Sequence, residues 1–267
     1  MSYQVIVKAV EYQQSTLVKK LYALTLIVII SSFAFIPALT FGAENEVDEC
    51  STMEKNKRDL PLELHSQLQQ YVGITDAKQV GLDILGDMTI SLRVNPTTLS
   101  GNMTLVSKWQ HVAKTSYLLF IEQGQLGIAL NSETNGYGYK VFYAPYTKSA
   151  NEWALVTMVY TAASGTTEFF IDGVSVGKSA DYAMPTSIAD TEANFMMGSR
   201  ENLDTFFDGK IDDVRIWSRA MSKGQVVQLY SHPKKFNGEN YRLQGYWNFN
   251  DGLKDESVNN NDLLSVL

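Results

Sequence analysis

The chain has 267 residues, with 22 basic and 29 acidic side chains and a formal net charge of −7. This negative balance argues against nucleic-acid binding, which depends on a basic surface. The hydrophobic content of 45% is enough for one sizeable core, and the single cysteine, Cys50, excludes an intrachain disulfide.

The N-terminal segment has the features of an export signal. Lys19 and Lys20 precede an uncharged, largely apolar run over residues 21–43, and Gly42 offers a small residue for cleavage. This pattern predicts an N-terminal apolar helix in residues 1–42 that serves as a signal peptide. A run of this length also suits an uncleaved membrane anchor. Both alternatives export the rest of the chain. A cleaved signal peptide predicts a secreted protein, and an uncleaved anchor predicts a protein held at the cell surface.

Residues 43–61 are polar and charged and predict a flexible spacer, so the folded domain is expected at 62–267. Within it, Met88–Val94 alternates apolar and polar residues, which predicts a half-buried strand with Thr89, Ser91 and Arg93 on the solvent side. Further strands are predicted at 105–109, 117–122, 126–130, 155–161, 167–172, 174–176, 195–198 and 243–249.

Turn and cap signals separate these strands. The pair Asp172-Gly173 favours a type I′ hairpin turn, and a second tight turn is predicted at 122–125. Ser222 and Gln225 have the spacing of a capping box, which predicts a short helix near 222–230. Many short strands with one short helix predict an all-β fold, an antiparallel β-sandwich.

A set of short segments recurs in a characteristic order and spacing: Gln70–Ile74, Gly86–Leu92, Leu105–Trp109, Glu152-Trp153 leading into Val156–Tyr160, Phe169–Gly173, Met197–Gly198 and Phe207–Ala220. In these segments the chain resembles a laminin-G-like module, a jelly roll of the concanavalin A-like lectin/glucanase superfamily. The resemblance implies a binding module rather than an enzyme. The last segment, 245–262, is similar to the start of a following module in tandem arrays, so it either completes this domain as an edge strand or marks a shortened array.

The acidic pair Asp212-Asp213 interrupts the alternation of the last long strand. Strict alternation cannot bury Ile211 together with Val214 and Ile216, because their spacing changes parity at the acidic pair. A β-bulge at the pair would restore burial on both sides and redirect one carboxylate.

The resemblance to the glucanases also implies a structural Ca²⁺. It assigns Asp212 as a ligand, with terminal-loop partners among Asn250, Asp251 and the Gly252 carbonyl, although Asn250 stands where an acidic residue is usual. Calcium takes six to eight oxygen ligands, which such a set could supply in part. The alternative is that the acidic pair bonds to Arg215 or caps a turn.

The segment 135–146 holds five aromatic residues around two glycines. Tyrosine suits carbohydrate recognition because its apolar ring stacks on a sugar while its hydroxyl forms hydrogen bonds. Four candidate ligand-binding residues follow: Tyr137, Tyr139, Tyr143 and Tyr146. The alternative is that the rings cover the sandwich edge. The four tryptophans are expected in the core: Trp109, Trp153, Trp217 and Trp247.

Enzyme patterns are weak. Gly173-Val-Ser-Val-Gly177 matches the Gly-x-Ser-x-Gly pattern, but it falls on a predicted hairpin and not on a strand-to-helix turn. We therefore predict an exported, non-catalytic module that binds a glycan or an extracellular protein. An adhesion or scaffold module acting through protein contacts alone is the alternative, and a glycoside hydrolase is less favoured.

Overall fold

The computed structural model describes residues 60–110, 114–132, 138–233 and 240–266. All of them belong to one unit, Asn56–Leu267. The predicted N-terminal helix and nearly all of the spacer lie outside the described residues. In the part of the chain that is described, no helix has the length and apolar character needed to cross a bilayer.

The described residues form fourteen strands and one α-helix. In chain order these are β1 (Leu62–Leu64), β2 (Tyr71–Ile74), β3 (Met88–Pro96), β4 (Asn102–Gln110), β5 (Lys114–Glu122), β6 (Gln125–Asn131), β7 (Tyr139–Pro145), β8 (Ala154–Thr161), β9 (Thr166–Ile171), β10 (Val174–Lys178), β11 (Phe195–Met197), β12 (Gly209–Trp217), α1 (Lys223–Ser231), β13 (Leu243–Trp247) and β14 (Leu264–Val266). Three short 3₁₀ turns lie between strands, at Ser66–Leu68, Asp76–Lys78 and Ala162–Ser164.

These strands form two sheets of seven strands each. The first sheet has the order β1-β12-β3-β8-β9-β10, with β13 also pairing with β12. The second has the order β14-β2-β11-β4-β5-β6-β7. Every neighbouring pair is antiparallel. The predicted antiparallel sandwich with one short helix is therefore confirmed.

The main core lies between the sheets, and α1 covers part of the first sheet from outside. Met88 and Val94 are fully buried on the core face of β3, as the alternation predicts. Thr89 and Ser91 were expected to face solvent, and this expectation is wrong, because both are fully buried. The Thr89 hydroxyl donates to the Arg219 carbonyl at 2.7 Å, in the segment that leads into α1. A separate apolar cluster, which includes residues of α1, fills the space on this side of the sheet.

The local turn and cap predictions are confirmed. Asp172 and Gly173 have φ values of 51° and 77°, and Gln123 and Gly124 have 49° and 77°, as two-residue type I′ turns require. At the start of α1, the Ser222 hydroxyl accepts from the Gln225 amide, and the Gln225 side chain accepts from the Ser222 amide.

The predicted bulge is also present in β12. Asp212 pairs with Arg93 and Arg215 with Ser91, so β12 uses one residue more than β3 between these pairs. Asp213 is the extra residue of the bulge, and its φ is 50°. The three apolar residues whose spacing required the bulge are all fully buried: Ile211, Val214 and Ile216.

A buried ion cluster holds the loop before β3 against the second sheet. Lys108 of β4 is fully buried, and its ammonium contacts the carboxylates of Asp76 and Asp83. Gln79 donates to both of these carboxylates. A buried charge is costly unless it is paired and hydrogen-bonded, and this cluster meets that condition.

The terminal segment completes this sandwich, as the first of the two alternatives predicts. It supplies β13 to the first sheet and β14 to the second. Between them, the buried Asp255 side chain accepts four hydrogen bonds of 2.7–2.8 Å, two on each oxygen. The donors are the Tyr246, Ser257 and Asn261 amides and the Ser257 hydroxyl. This carboxylate organises the loop that carries the chain from one sheet to the other.

We predict that Asp255→Asn destabilises the domain by about 2–3 kcal/mol, because one carboxylate oxygen is replaced by a donor that faces other donors. For a domain of this size, the loss corresponds to a melting temperature lower by roughly 5–10 °C. A thermal melt followed by circular dichroism measures it. Glu256→Gln, at the exposed neighbouring residue, is the matched control and should melt like the native protein. Equal melts for both variants would contradict the assigned role of Asp255.

Candidate functional site

Edge strand β7 presents a row of partly exposed side chains on the outer face of the second sheet. Tyr139, Val141 and Tyr143 occupy alternate positions of β7 and are 49%, 36% and 39% exposed. We call these three residues the tyrosine face. Edge strands are normally protected by charges or bulges, so two accessible aromatic rings on one strand mark this surface as a candidate binding site.

The tyrosine face is supported by an apolar cluster on the same side of the sheet. Tyr139 meets Trp109 edge-on at a ring distance of 5.3 Å, and Tyr143 meets Phe120 edge-on at 5.7 Å. Gly127 lies between the strands of Phe120 and Tyr143, and a Cβ there would come within 2.3 Å of the Phe120 ring. The cluster consists of Trp109, Leu118, Phe120 and Ala129.

Polar groups border the aromatic rings. The Tyr143 hydroxyl donates to Glu122 Oε2 at 2.6 Å, and Asn102 Nδ2 donates to Glu122 Oε1 at 3.3 Å. Burial, together with the hydrogen bond to Glu122, raises the pKa of Tyr143 to about 12. The phenol therefore remains a donor at neutral pH. Rings with one open side beside a fixed carboxylate can stack on an apolar ligand surface and bind its hydroxyl groups.

The four tyrosines predicted as ligand-binding residues have different positions. Tyr139 and Tyr143 belong to the tyrosine face, and Tyr137 lies outside the described residues. Tyr146 is only 7% exposed and packs in the core between the sheets. Its ring is not accessible for stacking, because it follows Phe142 and Ala144 at alternate positions on the core side, opposite to Tyr139 and Tyr143. Its amide donates to the Gly124 carbonyl at 3.1 Å. The expectation for Tyr146 is corrected accordingly.

The tryptophan assignments also need one correction. Trp217 and Trp247 are fully buried, and Trp109 is buried in the cluster beneath the tyrosine face. Trp153 is only half-buried. It lies at the start of β8, where the Arg93 guanidinium stands 4.8 Å from its ring centre.

The acidic pair is engaged by protein cations. Asp212 is 2% exposed; its Oδ2 lies 3.3 Å from Arg93 Nη1, and its Oδ1 accepts from the Asp213 amide at 2.8 Å. Asp213 Oδ1 lies 3.3 Å from Arg215 Nη2 and accepts from the Tyr246 hydroxyl at 2.9 Å. The pairing with Arg215, offered as an alternative to calcium, is thus present at Asp213.

The terminal loop reaches the same end of β12 but offers its oxygens to other partners. Asn250 Oδ1 accepts from the Leu60 amide at 3.2 Å, just before β1, which pairs with β12. Asp251 pairs with Lys254 at 3.0 Å, and Gly252 is exposed in a left-handed turn. Among the described residues, no group of three His, Cys, Asp or Glu side chains is placed to hold a metal. As they are placed, these donors do not fit a Ca²⁺ site, and a thermal melt decides between this geometry and the calcium site that the resemblance implies.

The Gly-x-Ser-x-Gly segment adopts the hairpin that the sequence predicts. Ser175 lies on β10, the second strand of the β9–β10 hairpin, and its hydroxyl donates to Glu168 Oε1 at 2.6 Å. A nucleophile elbow would need a helix immediately after the serine. The motif is therefore part of a sheet.

Two antiparallel seven-stranded sheets packed around one core define a β-sandwich. Residues 66–227 match Laminin_G_3, of the concanavalin A-like lectin/glucanases superfamily, and the chain belongs to this family. A curated relative, C-reactive protein from Xenopus laevis, is 29% identical over 58% of this chain and 65% of its own length. The chain therefore spans slightly less than two thirds of that relative.

Two solved structures share the fold. A carbohydrate-binding protein described as putative, from Bacteroides ovatus, aligns with a TM-score of 0.55 at 16% identity, covering 74% of this chain and 55% of that protein. A heptameric SAP-like pentraxin from Limulus polyphemus aligns with a TM-score of 0.50 at 13% identity, covering 74% of this chain and 88% of its own. At these identities the likeness shows the fold alone.

We predict that the domain melts at the same temperature with excess calcium as with EDTA, because the Asp212 carboxylate is paired with Arg93 and accepts a hydrogen bond from the Asp213 amide. A calcium ion present at a hundredfold excess over its Kd would stabilise the native state by about 2.7 kcal/mol, which a melt resolves. A calcium-dependent rise that Asp212→Ala abolishes would contradict this prediction and establish the metal site.

Proposed function

We propose that this protein is an exported, non-catalytic binding module that recognises a glycan through the tyrosine face. The observation that carries the proposal is the pair of exposed rings, Tyr139 and Tyr143, held on one side of β7 above a packed aromatic cluster. Membership of a lectin-like family supports a binding role.

The spacing of the rings suits an oligosaccharide more than a single sugar. Four residues along a strand separate Tyr139 from Tyr143, which corresponds to about 13 Å. A short glycan lying along β7 would reach both rings and cross Val141. The edge-on contacts with Trp109 and Phe120 hold both rings in place before binding, so little side-chain entropy is lost on association.

Glu122 supplies the polar contact. Its carboxylate is fixed by Tyr143 and Asn102 beside the ring. A carboxylate accepts only, and sugar hydroxyls are donors that suit it. In this proposal Glu122 orients the glycan and does not act as an acid or base.

The proposed location is outside the cell. The sequence of residues 1–42 supports export, as a cleaved signal peptide or an uncleaved anchor, so the module is either secreted or held at the cell surface. The family's lectin-like character agrees with such a location.

A second candidate function is adhesion through protein contacts. At the other end of the same outer face, an apolar groove of about 260 Å³ lies beside Leu203 and Leu264, which are 45% and 62% exposed. Exposed apolar surface of this kind favours a protein partner. In this case the groove itself would be the contact surface, separate from the tyrosine face.

The glycan proposal is tested with the full chain on an array of neutral and acidic oligosaccharides, followed by calorimetry with the strongest binder. We expect Tyr139→Ala and Tyr143→Ala each to weaken binding by about tenfold, or ~1.4 kcal/mol, because a stacking ring is lost. Tyr139→Phe keeps the ring and should bind nearly as well as the native protein.

Tyr241→Ala is the matched control, since Tyr241 is 64% exposed and lies next to Arg219 and Arg242 outside the tyrosine face. Its variant should bind normally. If no oligosaccharide binds, or if binding is unchanged in both tyrosine-face variants, the proposal fails and adhesion through protein contacts becomes the preferred function.

A further inference from the structure

A separate pocket lies on the outer side of the first sheet, beside the end of α1. Its volume is about 440 Å³, within the usual range of roughly 300–1,000 Å³ for small-molecule sites. Aromatic and charged side chains converge on it from β3, the loop before β8, β12, the hairpin turn and the helix. Those that could contact a ligand are Arg93, Lys148, Trp153, Asp172, Asp213 and Tyr230.

The bulge in β12 brings Asp213 to this pocket. Asp213 is the extra residue of the bulge, and its φ of 50° is a conformation that non-glycine residues seldom adopt. Bulges that redirect a side chain and residues held in this region of backbone space are both common at binding sites. The Asp213 carboxylate is 23% exposed and is fixed by Arg215 and the Tyr246 hydroxyl.

The other polar groups are also fixed. Arg93 stacks on Trp153 at 4.8 Å and pairs with Asp212 at 3.3 Å. Lys148 lies between Glu152 at 2.9 Å and Asp172 at 3.0 Å. Because protein groups already hold each of these side chains, their donors and acceptors are arranged before a ligand arrives.

The balance of charge indicates which ligand the pocket suits. Three cations line it, Arg93, Lys148 and Arg215, against two anions, Asp172 and Asp213. Counting the two partners Asp212 and Glu152 gives three positive and four negative groups, a net of −1. The site would therefore provide little electrostatic attraction for an acidic ligand. A neutral ligand with many hydroxyl groups could form hydrogen bonds with both the donors and the acceptors of the pocket.

The aromatic surface supports the same ligand class. Trp153 is half-buried and Tyr230 is 47% exposed, so each ring has open surface at the pocket. Apolar rings beside alternating donors and acceptors match a pyranose, which has apolar C–H faces and a rim of hydroxyl groups. The volume suits one or two sugar rings better than a long chain.

We propose that this pocket is a second carbohydrate-binding site, which takes a neutral sugar ring at the end or branch of a glycan. Trp153 and Tyr230 contact the ring, and Asp213, Asp172 and Arg93 bind its hydroxyl groups. The site lies on the first sheet, whereas the tyrosine face belongs to the second, so either site can exist without the other.

Ligand-observed saturation-transfer NMR on the full chain tests the proposal. The neutral probes are the methyl glycosides of glucose, galactose, mannose and N-acetylglucosamine, and the acidic probe is that of N-acetylneuraminic acid. Asp213→Asn removes the charge while keeping a residue that tolerates positive φ, so the bulge should persist. Tyr230→Ala removes a ring, and Tyr230→Phe keeps it.

We expect at least one neutral probe to bind, and its affinity to fall by about tenfold in Asp213→Asn and Tyr230→Ala. Tyr230→Phe and Tyr139→Ala should retain it, and retention in Tyr139→Ala separates this site from the tyrosine face. Equal melting temperatures would show that the variants are folded. The proposal is overturned if no neutral probe binds, if only the acidic probe binds, or if binding survives both Asp213→Asn and Tyr230→Ala.

Discussion

The extra residue in β12 is the constraint on which the first sheet depends. This strand pairs with β1, β3 and β13, so its side chains must fit three neighbours at once. Without the bulge, the side-chain period of two would place either Ile211 or Val214 on the wrong face. The bulge allows both to be buried, and it leaves Asp212 and Asp213 side by side on the outer face, each next to an arginine.

The second sheet carries apolar side chains on its outer face as well as in its core. Directly paired residues form a row across all seven strands, and most of them are apolar or glycine. Ser107, in the middle of the row, is fully buried. Its hydroxyl is satisfied there, since it donates to the Ser199 carbonyl at 2.9 Å. The row therefore opens to solvent mainly at its two ends. Its members are Leu264, Gly73, Met196, Ser107, Leu118, Ala129 and Val141.

Features set by neighbouring residues could be predicted from the sequence, and features set by distant ones could not. The bulge, the Asp172-Gly173 turn and the Ser222 cap each depend on a few adjacent residues, and all three are present. Thr89 was misplaced because its burial depends on a segment far along the chain. Tyr146 could have been placed correctly, because alternation puts it on the same side as Phe142 and Ala144. Glu122 could not have been found, because it lies on β5, two strands away from Tyr143 of β7, and only the strand order of the second sheet brings the two together. The pocket at Asp213 needed the fold itself, since five separate elements contribute to it.

Asp212 and Asp255 are buried carboxylates, and protein hydrogen bonds and ion pairs stabilise their negative charges. Asp255 accepts four hydrogen bonds, and Asp212 combines a guanidinium with a backbone amide. Calcium-binding loops usually stabilise such carboxylates with the cation, and loosen when it is removed. The terminal segment adds a strand to each sheet. The chain itself supplies the hydrogen-bond donors that hold this segment in place. Protein hydrogen bonds therefore connect the two sheets through the terminal segment.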